Sequence, residues 1–278
     1  MSLGLGNNLS KTGLTTPGIV TSNLVLKHNY SAGGVHLVSD GAAYFDGDDD
    51  YIAISGLAGE IVTDAAFSFC CWFNCLTSAS GENEHQEIMF GAFEADGDNE
   101  FRIGVNIASG DTAGGIFCSD DQGSNNSFII SDGSSATNGT KYTDGLWHHL
   151  AVTIAAGAGA TAAKVYVDGL ELTNAYTAEA GAGDGAGDSA VIDAQFSDAT
   201  QFILGLDLDN GNTLTDEFKG YMCNVGVWSA VLTQAQIKSI MNKNYAGLTS
   251  SETENLVSWW NLSADANDSH GSNNGTLT

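Results

Sequence analysis

Two clusters of short oxygen-bearing side chains are the residues best suited to chemistry in this chain. The first is Asp46, Asp48, Asp49 and Asp50 in FDGDDDY, and the second is Asp207, Asp209 and Asn210 in GLDLDNGN. Carboxylate and amide oxygens on loops are hard ligands of the kind Ca²⁺ takes, so both are candidate metal sites. The second begins with the Asp-x-Asp spacing of an EF-hand loop. Gly211 then occupies the fifth position and Asn212 the sixth, which puts the required glycine out of register. Ordinary turn capping by Asp and Asn is the other reading of each cluster.

Other arrangements point away from catalysis. Glu94, Asp96, Asp98 and Glu100 alternate in EADGDNE, the spacing by which two carboxylates flank a glycosidic bond. Gly97 and Asn99 stand where strand-forming residues would be needed, so an acidic turn is expected instead. His148 shares a face with Leu150, Val152 and Ile154, which predicts a hydrogen-bonded core histidine rather than a general base. Cys70, Cys71 and Cys75 fall on one strand, with Cys71 and Cys75 facing one way and Cys70 the other, and so do not pair readily with one another. With Cys118 and Cys223 they make five, which fits free core residues from a reducing compartment better than a disulfide framework or a zinc site. No phosphate-binding loop occurs in a strand-to-helix context. The chain is therefore expected not to be an enzyme.

The elements around these residues are strands. Trp147 to Ile154 alternates with period two, and Lys164 to Val167 runs into Asp168-Gly169 and then Leu170-Glu171-Leu172, a two-residue hairpin signal. Thr233 and Gln236 form a capping box for one short helix, with Ile237, Ile240 and Met241 as its apolar side. The tracts Ala155 to Ala163 and Ala178 to Ala190 are too rich in Gly and Ala to pack as strands and are expected to be loops. Thirty-five Gly against one Pro, with 15% charged and 42% hydrophobic residues, describe an all-β globular chain. No apolar run is long enough to span a membrane, and no basic-then-apolar export signal opens the chain. Residues 1–39 carry +2 and the remainder −28. That imbalance favours solubility and excludes nucleic acid as a partner. The expected organisation is an N-terminal extended arm or edge strand over residues 1–39 and one sandwich over residues 40–278.

Taken together, WHHLAVT and VYVDGLEL resemble the middle of laminin-G-like domains, which are concanavalin A-like jelly rolls. Tyr44 to Ile52 is similar to that family's opening strand and acidic turn, Phe67 to Phe73 to its next strand, and Phe202 to Met241 to its closing section. The resemblance covers roughly residues 40–245. It implies a jelly-roll β-sandwich that often binds calcium at one end and that serves as a glycan-binding lectin in some members. Thr16 to His28 resembles the leaders of virion proteins from marine bacteriophages, notably cyanophages. Leu256 to Leu262 and Asn267 to Leu277 are similar to a further segment of those proteins. This second resemblance implies a structural or decoration protein of the virion, made in the host cytoplasm. Its partners would be capsid or other virion proteins and further copies of itself, with weak binding to cell-surface glycans. A calcium-dependent lectin, secreted or on a tail fibre, is the alternative. Because Trp259, Trp260 and Leu262 would otherwise form a large exposed patch, the tail is expected to supply a strand of the sandwich.

Overall fold

The computed structural model describes residues 39, 41–54, 56–57, 60, 66–76, 86–93, 99–106, 114–122, 125–131, 141–156, 163–172, 174–181, 199–209 and 213–278. All of them belong to the compact unit Val38–Thr278. The arm expected over residues 1–39 lies outside the described residues except for Ser39, as does the middle of the first Gly/Ala tract, residues 157–162.

The chain enters β1 (Ala43–Asp46), β2 (Ile52–Ile54), β3 (Phe67–Cys75) and β4 (Gln86–Phe93). It continues through β5 (Asn99–Asn106), β6 (Ile116–Gln122), β7 (Asn125–Ser131) and β8 (His148–Ile154). Next come β9 (Lys164–Val167), β10 (Leu170–Glu171), β11 (Asn174–Gly181), β12 (Gln201–Leu204), β13 (Asp207–Asp209) and β14 (Thr213–Thr215). The long β15 (Lys219–Trp228) leads to helix α1 (Gln234–Ile240), a 3-10 turn at Tyr245–Gly247, β16 (Leu256–Trp260) and β17 (Gly275–Leu277). Among the described residues these strands form a seven-stranded antiparallel sheet ordered β1-β15-β3-β8-β9-β10, with β16 also on β15. A second sheet of eight is ordered β11-β7-β6-β5-β4-β12-β2-β17, and β13 pairs with β14.

Strand alternation decides what lies between the sheets. Phe67, Phe69, Cys71, Phe73 and Cys75 of β3 point inward, as do Phe45, Leu150, Val152 and Met222, and all are buried in one core cluster. They meet Phe90 and Phe101 of the second sheet, with ring centroids 5.1 Å apart for Phe69 and Phe90 and 5.6 Å for Phe67 and Phe101. The all-β sandwich expected from the sequence is thus present.

Local turn chemistry agrees with the sequence. Asp168 and Gly169 have φ of 51° and 74°, the two positive values a type I′ hairpin demands. Thr233 accepts a bond from the Gln236 amide while the Gln236 side chain accepts from the Thr233 amide, so the capping box closes α1. The tail is integral: β16 pairs with β15 and β17 with β2, and the indole N–H groups of Trp228 and Trp260 find backbone acceptors at Glu252 and Asn273, each at 2.7 Å. Cys70, Cys71, Cys75, Cys118 and Cys223 are free and buried, as expected of core residues.

One expectation, a loop over Ala178 to Ala190, fails in its first four residues, while residues 182–190 lie outside the described residues. Ala178, Ala180 and Gly181, assigned by composition to a loop, form the end of β11 and pair with Phe128, Asn126 and Asn125 of β7. A ladder is made by backbone groups, so a neighbouring strand can recruit a stretch whose own side chains argue against it.

Candidate functional site

Among the described residues, two regions of the outer face of the seven-stranded sheet differ. Over one, α1 and the tail pack Ile237, Ile240 and Trp259 against Cys70, Ala151, Tyr166 and Trp228. The other exposes aromatic rings. Alternation that turns Phe45 and Met222 inward turns Tyr44 and Tyr221 outward, and the register of β1 on β15 sets these two directly opposite one another. Their ring centroids lie 5.0 Å apart, and Trp147, immediately before β8, continues the row at 6.2 Å from Tyr221. Tyr44 is 50% exposed, Trp147 43% and Tyr221 38%.

Beside this row lies a cleft of about 570 Å³, lined by Ser39, Gly41, Ala42, Trp72, Trp147, Tyr221 and Cys223. Its shape is held from beneath. The Trp72 indole donates to the Met241 carbonyl at the end of α1 (3.0 Å) and meets the His149 ring edge-on at 5.4 Å. Asn74 donates to the Gly145 carbonyl (2.7 Å), and the Leu146 amide donates to Asp144 (2.8 Å), fixing the loop that carries Trp147. Burial lowers the His149 pKa to about 4, with Asp168 opposing, so the ring is neutral at pH 7. Burial also pushes the Cys223 thiol up to about 11, against a bond from Ser39. Among the described residues, His149 Nδ1 and Asn74 Oδ1 are buried without a hydrogen-bond partner; they flank the cleft on strands that pair with Trp72 and Tyr221. An apolar cleft with a few polar groups around it is the usual form of a small-ligand site.

The first acidic cluster adjoins this face. Asp46 follows Tyr44 by two residues on β1 and so projects to the same side. Oxygens of Asp46, Asp49 and Asp50 lie within 4.8 Å of one another; Asp48 is outside that group. The turn is internally bonded, with the Asp46 amide donating to Asp50 (3.0 Å) and the Asp48 amide to Asp46 (2.9 Å). Gly47 is required there, because φ is 77° and a Cβ would sit 2.7 Å from that of Lys219.

Of the second cluster, the described side chain is that of Asp207. Asp207, which begins β13, is 2% exposed and accepts a bond from Arg102 at 2.8 Å. Arg102 also pairs with buried Glu100 at 3.0 Å, so the Asp207 carboxylate answers a guanidinium. Backbone pairing sets Asp209 at the end of β13, while Asn210 lies outside the described residues. Glu94, Asp96 and Asp98 are likewise outside them, and Glu100 stands in β5 rather than in a turn.

His148 is hydrogen-bonded as expected. It lies between Asp168 (2.9 Å to Nδ1) and Asp144 (3.3 Å to Nε2), at the rim of the core. The aromatic row and cleft were not foreseen from the sequence. The available signal was the set of outward positions in YFD, CWF and GYM, each placing an aromatic beside a core residue, and the tryptophan just before the strand in LWHH.

A family model described as the concanavalin A-like lectin/glucanases superfamily matches residues 46–238. No curated protein matches the sequence. Among solved structures, a proposed carbohydrate binding protein from Bacteroides ovatus is similar with a TM-score of 0.51 and 16% identity. That match covers 85% of this chain, which spans only 57% of the other. The heptameric SAP-like pentraxin of Limulus polyphemus gives a TM-score of 0.41 and 15% identity over 73% of this chain and 82% of that one. The CBM40 of the Ruminococcus gnavus IT-sialidase gives 0.46 and 12% over 73% and 99%.

Proposed function

The chain belongs to the concanavalin A-like lectin/glucanase superfamily, and from that premise we propose that it is a non-enzymatic, glycan-binding jelly roll displayed on a bacteriophage particle. The aromatic cleft carries the binding reading. Sugar rings have an apolar face and a polar rim, and a half-exposed tryptophan and tyrosine beside a cleft offer an apolar surface at low entropic cost, with hydrogen-bonding groups nearby. The carbohydrate-binding description of the Bacteroides ovatus protein agrees with this reading. Binding without turnover is supported by Glu100, the described member of the alternating acids, which is buried and committed to Arg102.

Calcium fits the turn beside the cleft. Asp46, Asp49 and Asp50 bring three hard oxygen donors together, and Asp46 and Asp50 each keep a second oxygen beyond those used in the turn. Bound there, Ca²⁺ would neutralise crowded carboxylates and stiffen the end of β1 that carries Tyr44.

Display on a virion rests on the resemblance of the leader and tail to phage virion proteins. In this reading residues 1–39 are the anchoring arm to capsid or other virion proteins, and the sandwich faces outward. Proteomic detection in purified particles checks this part. The binding reading is tested by immobilised-glycan screening of the full chain beside Trp147→Ala. Glycan capture by the wild type that the variant loses is expected; capture that survives in Trp147→Ala would refute the cleft as the site.

A further inference from the structure

The aromatic row extends past the cleft. Trp147 and Tyr221 line the cleft, whereas Tyr44 lies beyond it on the edge strand β1, with its ring 5.0 Å from that of Tyr221. Three exposed rings thus follow one another, with Tyr221 next to both Tyr44 and Trp147. Their planes are not parallel: Tyr44 and Tyr221 are inclined by 46°, and Tyr221 and Trp147 by 41°. Neighbouring strands of a sheet are rotated against one another, and side chains mounted on them turn with the sheet. A flat, rigid polysaccharide surface laid on such a row would rest on one ring at a time. A single glycan chain, free to rotate about each linkage, can present an apolar face to every ring in turn.

Charge narrows the ligand further. Asp46 projects beside Tyr44, with Asp49 and Asp50 grouped around it, and Asp144 precedes Trp147 by three residues at the other end. Lys219 stands opposite Asp46 in the β1–β15 register, where acids outnumber it. The whole chain carries −26. An anionic sugar would approach against that field.

We propose that Trp147, Tyr221 and Tyr44 form a continuous track for one extended, uncharged glycan chain, with the cleft holding one sugar and Tyr44 an adjoining one. This rests on the glycan-binding reading above. The test is calorimetric titration of the full chain, in excess chelator so that the acidic turn keeps its charge, using glucose, galactose and neutral β-glucan and agarose oligosaccharides up to the hexamer. Oligomers of mannuronate and binding to crystalline cellulose are measured in parallel. Affinity is expected to rise about tenfold from monosaccharide to oligosaccharide and then level off. Tyr44→Ala should erase that gain while sparing monosaccharide binding, Trp147→Ala should remove both, and Leu170→Ala, at an exposed apolar residue in the β9–β10 hairpin, should change neither. A hexamer bound no better than its monosaccharide, preference for the oligouronate, or capture by crystalline cellulose would overturn the track, while Trp147-dependent binding would leave the glycan-binding reading standing. Absence of binding to every sugar would overturn both.

Discussion

Glu252 shows how single residues of this very acidic chain are made safe to bury. Its side chain is 5% exposed, with Lys243 Nζ 2.6 Å from both carboxylate oxygens and the Thr249 amide and hydroxyl donating at 2.7 and 2.9 Å. Burial opposes ionisation, but the bonds led by Lys243 outweigh it and bring the pKa down from 4.5 to about 2. The folded value lies below the unfolded one, so the contribution is fully present above pH 4.5 and is lost as pH falls from there toward 2. Glu252→Gln should therefore cost roughly 1.5–3 kcal/mol at neutral pH. Denaturant unfolding at a series of pH values checks this: the gap between wild type and variant should close between pH 4.5 and 2, and a gap independent of pH would refute the assignment. Such pairs are poorly legible in sequence. Arg102 and Asp207 are 105 residues apart, and nothing local to GLDLDNGN announces the guanidinium that meets Asp207. The aromatic track is hidden for the same reason, since Tyr44 and Tyr221 become neighbours only through the register of β1 on β15.

Elements with a local signature were readable, and those defined by a distant partner were not. The Asp168-Gly169 hairpin, the α1 capping box and the alternation of β8 each carry their physics within a few residues, and the structure contains them. The Ala- and Gly-rich end of β11 depends on β7 instead. The tail is intermediate: its tryptophans announce burial, while its route back to β2 depends on one carboxylate. Asp268 accepts from the Trp259 and His270 amides (3.0 and 2.9 Å) and from the Asn273 amide (3.1 Å), folding residues 259–273 into a compact turn. Asn273 then donates to Ser258 (2.8 Å) and Glu60 (2.9 Å), leading the chain toward β17. Asp268→Ala removes an acceptor from three amides at once and should cost about 2–3 kcal/mol. Amide exchange at Gly275–Leu277 should accelerate beyond what the global loss explains, because β17 is held by a short pairing with Ile52, Ala53 and Ile54, extended by Tyr51 and Thr278, and by the Gly275 amide on the Ala266 carbonyl. Unchanged protection at those amides would show that β17 holds without the turn.

At the scale of the whole molecule, the charge of −26 makes calcium and general salt separable influences. Carboxylates repelling one another destabilise the compact state, and any added salt relieves this by screening. Calcium held by Asp46, Asp49 and Asp50 would add a term that only a well-coordinated ion supplies. Three protein carboxylates would leave half or more of a six- to eight-oxygen shell to water, so the expected affinity is that of the weaker calcium sites, on the order of 10⁻⁴–10⁻³ M. Binding to the folded state alone stabilises by RT ln(1 + [L]/Kd), about 1.4 kcal/mol at ten times Kd. For a chain of this size that corresponds to a rise of roughly 3–6 °C in melting temperature. The comparison must be made at matched ionic strength, with CaCl₂ against NaCl and against MgCl₂, whose ion prefers a stricter octahedral shell. The increment specific to calcium should vanish in Asp49→Asn, which keeps the size of the side chain but removes a charge, and should persist in Asp48→Asn, whose carboxylate stands outside the cluster. Asp207→Asn should lower stability in all three salts alike, because that residue answers Arg102 rather than an added ion. Equal melting temperatures in calcium and in sodium at matched ionic strength would leave the turn as a bonded loop and the charge as simple solvation.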